Sequence, residues 1–188
     1  VFCLTRFGVS LTPYGDANNL IYTIIGRPLI ALGSNPLSMI TLLLVQQMLW
    51  FFGLHGYMVI RPILQTVFIP LSLANLAAFE AGEALPNVIT YQHFGTYAMI
   101  GGSGALLGLA LIMTFASKSE RYKALGKLSL PSTIFGINEP LIFGTPLVLN
   151  PIMMLPFIFV PVINAIIGYT FMSFGWIGKG VVETPWTT

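Results

Sequence analysis

The sequence is poor in charge. Only 7% of its 188 residues are Asp, Glu, Lys or Arg, against about 25% in a typical soluble domain. That shortfall excludes an ordinary core wrapped in a solvated charged surface. Cysteine is nearly absent. Cys3 stands alone, which excludes an internal disulfide and a cysteine-based metal cluster, and it reads as a small apolar residue. His55 and His93 are the two histidines, with no H-E-x-x-H spacing, so neither a metal nor a cofactor is expected. A net charge of +2, without a basic stripe carrying interleaved aromatics, argues against nucleic acid as a partner. No charged, cleavable leader is visible, so no signal peptide is expected.

What is abundant is apolar. Hydrophobic residues make up 55% of the chain, and the mean hydropathy is +0.84. The expected class is an all-α polytopic membrane protein, with transmembrane helices, re-entrant hairpins and broken helices in a lipid bilayer. The chain opens on Val1 and closes on VVETPWTT without a clear stop. It is expected to be an internal fragment of a longer transporter, with 1–188 as one unit.

Residues 1–35 are rich in Pro and Gly and read as loop with one short apolar piece. Asn35-Pro36 predicts a helix start, with Asn35 as cap and Pro36 in the first position. Residues 37–54 then predict a span, at about 1.5 Å of rise per residue. Gln46 and Gln47 lie mid-span and should face protein, and Trp50 suits either the membrane interface or a pocket. The span should stop at Gly53-Leu54-His55-Gly56. Residues 63–79 contain Pro70, Ser72 and Asn75 and predict a re-entrant hairpin or a kinked helix. Residues 80–87 read as an acidic loop. Residues 88–116 are apolar but cut by Gly101-Gly102-Ser103-Gly104, which lacks the lysine and the preceding strand of a phosphate loop and reads as close packing or a broken helix. Residues 117–127 carry Lys118, Arg121, Lys123 and Lys127. They read as a cytoplasmic loop by the positive-inside rule, which puts 80–87 outside. Residues 151–177 predict a last span, kinked by Pro156 and Pro161, with Asn164 as its polar residue.

The sharpest chemistry lies in residues 132–151, STIFGINEPLIFGTPLVLNP. Glu139 sits there in an apolar run, framed by Gly136, Asn138, Pro140, Gly144 and Pro146. A carboxylate in lipid is expensive, so it should face a cavity or a partner. The same glycines and prolines break the helix and release backbone groups for a ligand. Glu139 therefore reads as a ligand-bonding or proton-accepting group in a dehydrated pocket, against the alternative of a structural carboxyl pinning two helices. His55 is either an interfacial histidine or a pocket group for a substrate hydroxyl. Arg61, six residues on, either holds an anion or snorkels to headgroups. His93 reads as interface or packing. Trp50, Phe51, Trp176 and Trp186 are aromatic faces on which a sugar ring could stack.

Two of these segments resemble a known family. Trp50-Phe51-Phe52-Gly53-Leu54-His55-Gly56 and Gly136-Ile137-Asn138-Glu139-Pro140-Leu141-Ile142-Phe143-Gly144 both resemble the lactose/cellobiose-type Enzyme IIC of bacterial phosphoenolpyruvate-dependent sugar phosphotransferase systems. The diacetylchitobiose transporters belong there too. The resemblance covers nearly all of the chain and implies that 1–188 is the C-terminal, substrate-binding part of such a transporter. It implies a multi-pass protein of the bacterial inner membrane, homodimeric at full length, that holds a disaccharide between re-entrant hairpins and broken helices. It implies Glu139 and His55 at the sugar's 6-hydroxyl end, Asn138 on a neighbouring hydroxyl, and Trp186 stacked on a ring. Arg61 is close enough to His55 in sequence to help with an incoming phosphate.

The implied activity is that of the sugar-binding subunit of a phosphotransferase. The phosphate donor is a phosphocysteine on the partner Enzyme IIB, itself supplied through Enzyme IIA. Cys3 is not that residue, since no phosphate-cradling loop surrounds it. A second class stays open at this point: an ion-coupled secondary transporter, in which Glu139 carries a proton or sodium and no phosphate moves. Broken helices around a carboxylate serve both.

Overall fold

The structure, a computed structural model, describes residues 33–182. The expectations for the first segment, for Cys3 and for Trp186 fall on residues outside that range. Among the described residues the regular structure is all helical.

The first helix, α1, is Pro36–Phe51. Asn35 caps it, its Oδ1 accepting the Leu37 N–H at 2.9 Å, as Asn35-Pro36 predicts. The helix ends earlier than expected because Gly53 turns left-handed at φ 78° and the Leu54 N–H folds back to the Leu49 carbonyl. It is apolar, but shorter than the two helices long enough to cross a membrane. Gln46, Gln47 and Trp50 all turn into the protein, so Trp50 takes the pocket position and not the interfacial one.

The second helix decides between the expected alternatives, a re-entrant hairpin and a kinked helix, against the hairpin. α2 runs unbroken through Gly56–Glu80, with Pro62 and Pro70 inside it, and its 25 residues are long and apolar enough to cross a membrane. Asn75 is no hairpin signal. It is fully buried, and its side chain donates to the carbonyls of Asn87 and Gly180 and accepts the Asn87 N–H. A buried amide can stay in lipid only when satisfied in this way.

Beyond the loop that follows, α3 (Tyr91–His93) passes into a π-helical turn, Phe94–Ala98. A 3-10 turn, Ser103–Ala105, and α4, Leu107–Phe115, follow. The stretch is bent by 51°, so the Gly101–Gly104 region is a helix break, as expected. The segment expected as a basic loop is largely helical: α5, Glu120–Ile134, carries Arg121, Lys123 and Lys127 on its first half. Good helix formers outweigh the charge pattern there. The Glu139 segment is discontinuous. α6 is only Glu139–Gly144, and α7, Pro151–Ser173, begins after a reversal through Leu149 and the Asn150 cap. α7 is the second helix long enough to span. It includes Pro156 and Pro161 and stops short of the expected end.

Two packed clusters result. One joins α1, α2, α3 and α7 around Leu43, Leu64, Phe68, Phe94 and Ala165. The other gathers Trp50, Ala110, Leu141, Ile142 and Phe157 where α1, α4, α6 and α7 meet. Large side chains such as Ile63, Leu73, Ile163 and Phe171 face outward. That exposed apolar surface fits a lipid surround, in which helices are held by close packing.

Candidate functional site

The two sequence motifs become two chain reversals that face one cavity. In the first, α1 ends, Gly53 turns the chain, and His55 becomes the N-cap of α2. His55 Nδ1 accepts the Met58 N–H at 3.3 Å, which leaves the ring proton on Nε2. That nitrogen donates toward Glu139 Oε1, also at 3.3 Å. The Trp50 ring lies against the imidazole, centroids 4.3 Å apart. Gly56 has no side chain to keep α2 from the Gln46 carbonyl of α1.

In the second reversal, α5 ends and Gly136 adopts φ 80°. The N–H groups of Gly136 and Ile137 return to the carbonyls of Thr133 and Ser132, a helix stop that glycine favours. Asn138 then starts α6, and Glu139 is its first residue. Gly102, at φ 86°, packs on this turn. A Cβ at Gly102 would strike the Gly136 carbonyl and the Asn138 amide. Asn138 is buried, and its Nδ2 donates to the Ser103 carbonyl. The two breaks are thus clipped together beneath the Glu139 carboxyl.

The cavity has a volume of about 510 Å³ and is lined by His55, Arg61, Asn138 and Glu139, together with Trp50, Tyr57, Tyr91, Met99, Ser103 and Phe135. Its size lies within the roughly 300–1,000 Å³ of small-molecule sites. Another cavity of about 400 Å³, bounded by α4, α5 and the start of α7, has a mainly aliphatic lining, with Leu109, Ile112, Met113 and Ile152. It lacks the convergent polar groups of the first.

The His55 and Glu139 side chains are 39% and 38% exposed, so their contact contributes little to stability and serves mainly to orient. The more informative atoms are those without partners. Glu139 Oε2 and Trp50 Nε1 are both buried and both unbonded. One is an acceptor lacking a donor, the other a donor lacking an acceptor. Both are closed to solvent, so a hydroxyl can bond them only once the side chains turn. Leaving such bonds unmade costs about 1–3 kcal/mol each.

The structure brings four of the expected residues, His55, Arg61, Asn138 and Glu139, to this one cavity. Trp186 lies outside the described residues. His93 is buried and donates Nε2–H to the Ala165 carbonyl at 3.0 Å, a packing role. Trp176 packs at a tilt against Phe171 and Phe174 at the far end of α7 and does not line the cavity. Sequence reasoning missed Tyr57 and Tyr91, whose hydroxyls lie 2.6 Å apart in it. Tyr57 follows His55 by two positions and was findable from that; nothing local marks Tyr91.

The family model described as "Phosphotransferase system, EIIC" matches residues 2–161. The chain belongs to the EIIC family. This EIIC chain is 38% identical over 191 residues to the PTS system cellobiose-specific EIIC component of Geobacillus stearothermophilus, covering 100% of the chain and 42% of that protein. It is 37% identical over 139 residues to the PTS system lactose-specific EIICB component of Staphylococcus haemolyticus, covering 74% of the chain and 24% of that protein. Among solved structures it matches the transporter ChbC, the IIC component of the N,N'-diacetylchitobiose-specific phosphotransferase system. That match has a TM-score of 0.93 at 35% identity, over 98% of this chain and 43% of that one. EIIC proteins are membrane permease components, and the chain spans about two-fifths of the full length of such relatives, 42% for the cellobiose-specific one.

Proposed function

We propose that this chain is the sugar-holding part of a phosphotransferase-system permease for a disaccharide of cellobiose, lactose or diacetylchitobiose type. The observation that carries the reading is the His55–Glu139 pair, half-exposed in a cavity walled by two broken helices. The full protein is read as a multi-pass homodimer of the bacterial cell membrane. Its phosphate donor is a phosphocysteine on Enzyme IIB, charged in turn through Enzyme IIA. Support for that partner comes from the relative whose name, EIICB, joins the two components in one chain.

In the proposed reaction the sugar's 6-hydroxyl oxygen attacks the phosphorus of the donor's phosphocysteine. An O–P bond forms, the S–P bond breaks, and the thiolate leaves on the partner. The hydroxyl proton passes to the Glu139 carboxylate as its oxygen becomes nucleophilic. His55 Nε2–H engages Glu139 Oε1 and holds the carboxylate at the cavity wall. Arg61, exposed at the cavity, supplies positive charge beside the transferring phosphoryl. Asn138 carries a double load in this reading, holding Ser103 and offering its amide to an adjacent hydroxyl. Trp186 is retained as a stacking residue. Phosphorylation traps the product inside, so transport is driven by the phosphate donor.

The test uses membrane vesicles carrying the protein at full length. With phosphoenolpyruvate and the soluble phosphotransferase proteins they should convert cellobiose to its 6-phosphate. Accumulation of unmodified cellobiose that collapses with an uncoupler would overturn the reading in favour of the ion-coupled carrier, which no observation here favours. A binding panel of cellobiose, lactose and diacetylchitobiose ranks the sugars.

A further inference from the structure

Two of the side-chain pairs that line the cavity are hydrogen-bonded. His55 reaches from the start of α2 toward α6, where it meets Glu139. Tyr57 sits two positions on, about 200° further round the helix, and reaches toward α3, where its hydroxyl meets that of Tyr91 at 2.6 Å. Both pairs line the same space. Tyr91 is buried, and its N–H donates to Ser72 Oγ at 3.2 Å, so the phenol is mounted on α2 as well as on α3. Whichever phenol donates in the pair, the Tyr57 oxygen keeps a further bonding position: lone pairs if it is the donor, its own O–H if it is the acceptor.

We propose that Tyr57 contacts the second ring of the disaccharide, the one that is not phosphorylated, and that Tyr91 positions Tyr57. The inference rests on the sugar reading above and deepens it. In this reading one ring engages the His55–Glu139 end and the second ring meets the Tyr57–Tyr91 pair. Tyr57 then sets the preference for a disaccharide over a monosaccharide, because a site built to bond a hydroxyl discriminates sharply against a ligand that lacks it.

The experiment compares binding of cellobiose and glucose by the full-length protein in detergent, by calorimetry and by competition. Tyr57→Phe should weaken cellobiose roughly tenfold and leave glucose within about twofold. Tyr91→Phe should weaken cellobiose less, with glucose again unchanged. The double variant should match Tyr57→Phe alone, since the two act through one contact. Unchanged thermal midpoints for both single variants separate recognition from a structural role. Equal losses for the two sugars, or no loss in Tyr57→Phe, overturn the assignment of Tyr57 while the sugar reading stands. A wild-type protein that binds none of cellobiose, lactose and diacetylchitobiose overturns the sugar reading and the Tyr57 assignment with it.

Discussion

Asn138 Nδ2 donates to the backbone carbonyl of Ser103, and that bond ties the break in one helix to the break in another. The 3-10 turn at Ser103–Ala105 and the start of α6 would each leave backbone groups unpaired in a membrane. Set against each other, they brace the turn that presents Glu139. Binding chemistry and helix discontinuity share residues here because the same turn frees the backbone and aims the carboxyl.

The bracing predicts opposite outcomes for two nearby glycines. Gly102→Ala places a Cβ at positive φ against the Gly136 carbonyl and should destabilise by more than the roughly 1–2 kcal/mol of the backbone term alone. Gly108→Ala, inside α4 with open space around it, should stabilise by about 0.5–1 kcal/mol. Thermal unfolding in detergent reads both. A neutral Gly102→Ala contradicts the close approach of the two breaks.

Glu139→Gln keeps the shape of the side chain and removes its capacity to take a proton. Sugar phosphate formation should fall about 100-fold or more, while cellobiose binding stays within about tenfold. Phosphorylation at the wild-type rate would remove Glu139 from the chemistry.

His55→Ala removes both the cap on the Met58 N–H and the partner of Glu139. Sugar affinity should drop by about 1–3 kcal/mol in calorimetry. His55→Asn retains a capping side chain and should recover stability without recovering affinity. Unaltered affinity in His55→Ala places the ring outside the pocket's chemistry.

Gln47 is fully buried, and both its amide atoms lack partners. Burying an unpaired amide is unfavourable, so Gln47→Met, similar in volume, should raise the thermal midpoint by the equivalent of about 1 kcal/mol or more. Loss of stability in that variant would mean that Gln47 bonds something in the full-length protein.

Much of this was legible in the residues. The scarcity of charge and the apolar runs declare the class. Asn35-Pro36 marks the α1 start, Gly101–Gly104 marks a helix break, and Gly136-x-Asn138-Glu139-Pro140 marks a broken element around an acid. These are local signals, in which backbone permissiveness and capping chemistry act within a few residues. Two readings were settled by the structure, one by distant contacts and one by local helix propensity. Pro70 and Asn75 left a hairpin and a kinked helix open; Asn87 and Gly180 satisfy Asn75 and α2 stays whole, against the hairpin. The basic run at 117–127 looked like a loop, yet its residues build much of α5, packed along α4.

Composition and short-range pattern were therefore enough to say that this is a helical membrane protein with an acid at a broken helix. They could not say what that acid meets. His55 lies 84 positions from Glu139, and Tyr57 lies 34 from Tyr91. Pairings at such separations follow from how whole helices stack, and no periodicity or turn signal encodes them; they emerge once Gly56 and Gly102 let the backbones close in.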